Sequence, residues 1–233
     1  MTAIRQPVGD NAPMEITRSG LAAMIDHTML KAETTAIDAA ALAHEGAALG
    51  VACVCLPASL VADVPRLLPI CCVIGFPSGA HRSDVKKFEA ERAVADGSDE
   101  LDMVINLGAA HGGRLDLVAA EIRLVRSVCT QQVLKVILES ATFDDDALRQ
   151  VAIVARDAGA DYLKTSTGFH PAGGATTTAV KILASVAANS DRPMGVKASG
   201  GIRTFEAAAA MIAAGATRIG ASATQAILEG VPD

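Results

Sequence analysis

Short apolar runs and alanine-rich amphipathic stretches alternate along most of this chain, with no linker or low-complexity break between them. The short runs fall at 24–28 (MIDHT), 51–56 (VACVCL), 70–75 (ICCVIG), 100–106 (ELDMVIN), 133–139 (VLKVILE), 161–165 (DYLKT), 194–198 (MGVKA) and 217–220 (TRIG). The amphipathic stretches lie at 36–49, 84–96, 114–129, 144–158, 174–188 and 204–214. Gly50, Gly97, Gly159 and Gly215 close four of them, as expected where a helix ends in a left-handed residue. Strand and helix in strict alternation specify a parallel sheet with helices packed on it. Eight such units in 233 residues favour a single (β/α)₈ TIM barrel of the α/β class. An open doubly wound sheet is the alternative. Residues 1–14 read as a flexible N-terminal arm and 15–233 as one barrel domain.

Composition agrees and excludes several functions. Apolar residues make up 51% of the chain but aromatics only 3%, so the core is built from small aliphatic side chains at close spacing. The net charge of −6, with no basic stripe, argues against a nucleic-acid partner. No apolar run approaches membrane-spanning length. The polar N-terminus lacks the apolar segment of a secretory signal, so a cytoplasmic location is expected. The five cysteines show no CxxC pairing and read as small buried hydrophobes, not as a disulfide framework. The histidines are scattered, with no ligand-like cluster, so neither a metal nor a cofactor is expected.

Functional residues of a barrel sit at the C-terminal strand ends and in the loops that follow. The unusual polar residues lie there: Asp26 and Thr28 in strand 1, Asp102 and Asn106 in strand 4, Lys135 and Glu139 in strand 5, Lys164 in strand 6, Lys197 in strand 7. Charges inside short parallel strands are costly, because such strands are buried on both faces. Alternation puts Asp102, Val104 and Asn106 on one face, and Lys135, Ile137 and Glu139 on another. If those faces point inward, the mouth holds three lysines and at least two carboxylates; a self-neutralising polar plug is the plain alternative. Asp26 and Thr28 are expected to line the pocket, while His27, facing the other way, reads as a structural histidine.

Two lysines on adjacent strands carry the sharpest chemistry. At about 5 Å and an effective dielectric near 20, two ammonium groups repel by roughly 3 kcal/mol, or about two pKa units. One of the pair is then able to act as an amine nucleophile toward a carbonyl. Spacing does not say which. Lys164 precedes Thr165-Ser166-Thr167-Gly168, and Lys197 precedes Ala198-Ser199-Gly200-Gly201. Such hydroxylated, glycine-bearing loops can present backbone N–H groups to an anion. The loops after strands 7 and 8, Ser199-Gly200-Gly201 and Gly220-Ala221-Ser222, fall at the usual phosphate position of the fold.

The segments IDHTMLK (25–31), GFPSGAH (75–81), ELDMVIN (100–106), LKVILES (134–140), KTSTGFHPAGGAT (164–176) and VKASGGIR (196–203) resemble the deoxyribose-phosphate aldolases, in order, from about residue 20 to 228. The resemblance implies a metal-independent class I aldolase on a TIM barrel that cleaves 2-deoxy-D-ribose 5-phosphate to D-glyceraldehyde 3-phosphate and acetaldehyde. It implies that Lys164 forms the Schiff base, that Lys197 perturbs its pKa, and that Asp102 works through a bound water in proton transfer. Gly168, Gly200, Gly201 and Ser222 are implied near the phosphate, with Thr167 beside them and Cys55 matching a strand 2 cysteine of the family. Lys135 and Glu139 fall in the supporting network.

Three departures stand out. The final phosphate loop reads Ala221-Ser222-Ala223 where many members carry two adjacent serines. Phe169 stands where some members carry a lysine. The proline after Cys55 is shifted by one, to Pro57. The rival readings are another imine-forming phosphosugar aldolase, a metal-dependent aldolase, and a non-catalytic phosphosugar-binding barrel. Small-residue barrels of this type often pair, so a homo-oligomer is left open.

Overall fold

A computed structural model describes residues 16–232; the expected N-terminal arm lies outside the described residues. The strands are β1 (Ile25–Thr28), β2 (Cys53–Pro57), β3 (Ile70–Ile74), β4 (Glu100–Val104), β5 (Val133–Ile137), β6 (Tyr162–Lys164), β7 (Gly195–Ser199) and β8 (Arg218–Ala221). They close into one parallel barrel in sequence order, with β1 hydrogen-bonded to both β2 and β8. The helices are α1 (Arg18–Ala22), α2 (Ala36–Leu49), α3 (Ser83–Ala95), α4 (Leu107–His111), α5 (Leu115–Arg126), α6 (Asp145–Asp157), α7 (Thr177–Ala187), α8 (Phe205–Ala213) and α9 (Thr224–Glu229).

Local chemistry explains the boundaries. Thr35 caps α2 in a reciprocal box with Asp38, and Asp144, Thr176 and Thr204 cap α6, α7 and α8 through their side-chain oxygens. These acceptors satisfy N–H groups that the first helical turn leaves free. Gly50, Gly97, Gly159 and Gly215 all have positive φ, which lets the chain reverse into the next strand. Between β2 and β3 the connection is a 3₁₀ turn, Ala58–Asp63, where the sequence offers no amphipathic stretch. Pro57 and Pro65 bracket that turn and leave too little chain for an α-helix. The stretch expected at 114–129 is shorter, ending at Arg126. It is preceded by the separate helix α4, which the sequence pattern did not reveal.

Strand alternation sorts the core into two shells. Outward residues such as Val54, Leu56, Ile70, Met103, Val136 and Leu163 join the helices in the main apolar cluster. Cys53, Cys55, Cys71 and Val73 form a small second cluster inside the barrel. All five cysteines are free and buried. Three of them, however, face a polar interior, whereas Cys72 and Cys129 pack in the outer shell. Among the described residues, no helix is long and apolar enough to cross a membrane.

Candidate active site

Strand register assembles the charged residues. Asp102 is paired with Lys135 across β4 and β5, and Lys164 with Lys197 across β6 and β7. Their side chains converge on one carboxylate. Asp102 accepts from Lys164 Nζ at 2.6 Å and Lys197 Nζ at 2.7 Å, both on Oδ2, and from Lys135 Nζ at 2.8 Å on Oδ1. Two ammonium nitrogens sharing one oxygen lie as close as the repulsion argument requires. Asp26 Oδ2 takes a second bond from Lys197. Asp102, Lys135, Lys197 and Asp26 have no exposed surface, and Lys164 is 3% exposed.

The electrostatics follow from this sharing. Burial works against charge on Lys197, but Asp102 and Asp26 outweigh it and hold its pKa well above the ordinary lysine value. Lys135 is raised in the same way. Burial likewise opposes ionisation of Asp102, yet Lys135, Lys164 and Lys197 together hold its carboxyl well below the usual range. Before substrate binds, Lys197 and Lys135 are therefore held charged around the Asp102 carboxylate.

Lys164 opens upward into a cavity of about 650 Å³ at the C-terminal end of the barrel. Its wall includes Thr28, Thr167, Gly168, Gly200, Gly201 and Ser222, all anticipated from sequence. Gly168, Gly200 and Gly201 have φ of 82°, 91° and 83°, a region where a side chain is strained. A Cβ on Gly200 would come within 2.9 Å of Gly174 Cα, so these glycines also let two loops touch. Gly220 has a different use: a Cβ there would meet Lys197 Cε at 2.9 Å, so its bareness makes room for the lysine.

Several expected placements change. Asp26 and Cys55 do not line the cavity; both are fully buried beneath it, because inward side chains low on a narrow barrel point into neighbouring strands. β4 ends at Val104 and β5 at Ile137, so strand alternation does not reach Asn106 or Glu139. Asn106 instead caps α4, its Oδ1 accepting from Ala109 N at 3.0 Å. Glu139 has φ 56° and turns its carboxylate to the loop after β6, accepting from Thr167 Oγ1 at 2.5 Å and Thr167 N at 3.2 Å. It shapes that loop and stays out of the lysine cluster. His27 faces the outer shell, with Nδ1 2.8 Å from Thr224 Oγ1 and Nε2 3.6 Å from Glu45, in keeping with a structural role.

Residues absent from the sequence reading also enter. Arg203 lines the cavity beside Gly200 and Gly201, and Phe76 packs edge-to-face at 5.2 Å on Phe169, itself already singled out in the sequence. Glu100 and Arg218 sit below the lysines; Glu100 is two residues before Asp102 on the same strand face, which alternation could have revealed. Asp26, Cys53, Cys71 and Glu100 offer atoms within 4.8 Å of one another, a spacing compatible with a metal ion. A cation already serves them, since Lys135 Nζ lies 2.5 Å from Glu100, 3.4 Å from Asp26 and 3.2 Å from Cys71 Sγ.

A parallel barrel with paired buried lysines at the floor of a glycine-rimmed cavity defines an enzyme of the lysine-imine class. Residues 21–230 match the model of the DeoC/LacD family aldolases, and the chain belongs to that family. It is 53% identical to the deoxyribose-phosphate aldolase of Kocuria rhizophila over 218 residues, covering 93% of this chain and 99% of that one. It is 51% identical to the deoxyribose-phosphate aldolase of Mycobacterium ulcerans over 225 residues, covering 94% and 98%. Among solved structures, the tetrameric deoxyribose phosphate aldolase of Aeropyrum pernix superposes with a TM-score of 0.84 at 35% identity, covering 91% of each chain.

Proposed function

We propose that this aldolase reversibly cleaves 2-deoxy-D-ribose 5-phosphate to D-glyceraldehyde 3-phosphate and acetaldehyde, in deoxyribonucleoside breakdown. The observation that carries this reading is the sharing of Asp102 Oδ2 by Lys164 and Lys197 at the floor of the cavity. Lys164 attacks C1 of the open-chain sugar and expels water to form an iminium. The iminium draws in the electrons of the C2–C3 bond as the C3 hydroxyl loses its proton, releasing the phosphorylated aldehyde. Asp102, through a water, accepts that proton and returns one to the enamine carbon. Hydrolysis of the remaining imine frees acetaldehyde and Lys164. Lys197 stays charged and disfavours protonation of its neighbour.

The phosphate lies at the rim, against backbone N–H groups around Gly168, Gly200, Gly201 and Ser222, with Arg203 supplying positive charge where Phe169 supplies none. Backbone donors converging on an anion suit this position in the fold. Lys135 and Glu139 support the site: one holds Asp102, the other the loop carrying Thr167. The same proposal takes residues 15–233 as one catalytic domain. Five free cysteines suit a reducing cytoplasm, where we place the activity. We also propose a homo-oligomer, on the strength of the Aeropyrum pernix relative; light scattering of the purified chain tests it.

The test of the function is a cleavage assay with 2-deoxy-D-ribose 5-phosphate, following glyceraldehyde 3-phosphate and acetaldehyde separately. Equal release of both by the wild-type protein, and neither by Lys164→Leu, is expected. Full activity in Lys164→Leu overturns the mechanism, and no cleavage by folded wild-type protein overturns the substrate.

A further inference from the structure

Beneath the lysines lies a second tier of charge that takes no direct part in imine formation. Arg218, the first residue of β8, reaches across the interior. Its Nη1 donates to Asp26 Oδ1 at 2.6 Å, and its two terminal nitrogens approach Glu100 Oε2 and Oε1 at 3.4 Å each. Its guanidinium carbon sits 5.5 Å from the centre of the Tyr162 ring. Glu100 in turn accepts from Lys135 Nζ at 2.5 Å. Each carboxylate that holds the catalytic lysines is thus tied downward. Asp26, the second partner of Lys197, is held by Arg218, and Asp102 shares Lys135 with Glu100.

Every strand contributes a group that faces this tier. β1 brings Asp26, β4 Glu100 and Asp102, β5 Lys135, and β7 and β8 Lys197 and Arg218. β6 adds Tyr162 below Lys164. The thiols of β2 and β3 are donors: Cys53 lies 3.8 Å from Glu100 Oε2, and Cys71 lies 3.1 Å from Asp102 Oδ1. Three carboxylates then face four basic groups, and Cys71 is a further acid among them: burial opposes its ionisation, but hydrogen bonds from Cys53 and Cys55 outweigh it and hold the thiol well below its usual value. Lys135 and Lys197 are held charged by the carboxylates around them, and Arg218 is raised further above its already high value by Asp26 and Glu100 against the cost of burial. Lys164 differs: it pairs with a single carboxylate and borders the cavity. Charge in such an interior is little screened, so each fixed charge of the tier acts on Lys164 at its border.

We infer that Glu100 and Arg218 are positioning residues whose opposite charges, transmitted through Asp26 and Lys135, set the pH at which Lys164 becomes a nucleophile. The inference rests on the imine chemistry proposed above.

The experiment is the pH dependence of the initial rate at which acetaldehyde is trapped on Lys164 by cyanoborohydride, each variant being compared with wild type under the same conditions. Arg218→Gln removes a positive charge and moves the half-maximal pH up by about one unit; Glu100→Gln removes a negative charge and moves it down by a similar amount. The double variant restores the count and returns to within about 0.3 unit of wild type, and Arg218→Lys, which keeps the charge, stays near it. A purely structural role lowers the amplitude of trapping in all variants without opposite displacements. Should Arg218→Gln fail to fold, Glu100→Gln and the double variant carry the same comparison. Shifts in one direction only, or none, with wild type still trapped at Lys164, overturn the inference and leave the proposed function standing. Absence of trapping at Lys164 in wild type overturns the imine reading, and this inference with it.

Discussion

Two groups of buried lysine occur in this barrel, and they are built for different ends. Lys86, in the outer shell, has no exposed surface. It donates to Glu121 Oε2 and to Val104 O, each at 2.8 Å, while the other oxygen of Glu121 accepts from Asn106 N at 2.5 Å. Cation and anion are matched one to one, and neither lines the cavity. Burial lowers the Lys86 pKa, with Glu121 opposing. In the inner group, Lys135, Lys164 and Lys197 all share Asp102, and one of them opens onto a cavity. Burial of a lysine therefore does not mark a nucleophile. Shared acceptors and access to solvent do. Lys86 ties α3 to α5 and to the end of β4; the inner cluster holds its charges in a state that chemistry can use.

This contrast can be broken by substitution. Lys164→Leu should lower cleavage activity by at least about 10³-fold while leaving thermal stability near wild type, because loss of a nucleophile is of that order. Asp102→Asn should cost about 10²- to 10⁴-fold in kcat, the usual span for a proton-transfer group. Lys86→Met should behave in the opposite way. It strands the Glu121 carboxylate, costing about 3–5 kcal/mol in denaturant unfolding, yet acetaldehyde should still be trapped on Lys164 at a temperature where the variant is folded. A Lys86 variant that is stable but inactive would erase the distinction between the two groups.

Two smaller effects sharpen it. The depressed carboxyls of Asp102 and Asp26 contribute stability that is present above the unfolded carboxylate pKa and lost as pH falls through the folded values. Lys135→Met removes a cation facing both, so the acid-unfolding midpoint should move to higher pH, read by circular dichroism. At the rim, Phe169→Lys adds a charge near the proposed phosphate site. It should lower KM for the phosphorylated substrate about two- to fivefold with kcat little changed, the range of a partly exposed ion pair. No change in KM would place the phosphate elsewhere.

Much of this was legible in the chain. The alternation of short strands with alanine-rich helices implied the closed barrel, because few other folds use so many βα units at that length. Lys164, Lys197 and Asp102 stood out as charges in buried strands, and the glycines of the rim as breaks at strand ends. What escaped was set by details of backbone geometry. Glu139 and Asn106 lie just past the strand ends, where period-two alternation no longer holds, and both turned out to organise loops. Asp26 was expected in the pocket wall from its place in strand 1, and Cys55 from its match to a family cysteine, but depth along a narrow barrel is not encoded in alternation. Glu100 and Arg218 sit at the first positions of their strands, deeper than a search for residues at the C-terminal rim reaches. The break between α4 and α5 depends on Gly112 and Gly113 inside a stretch that otherwise reads as helical.

The most direct measurement is borohydride reduction in the presence of acetaldehyde, followed by intact mass and peptide mapping of the adduct. One reduced two-carbon unit on Lys164 is the predicted result. An adduct on Lys197 instead would reverse the roles of the two lysines, and no adduct on folded protein would contradict the imine mechanism altogether.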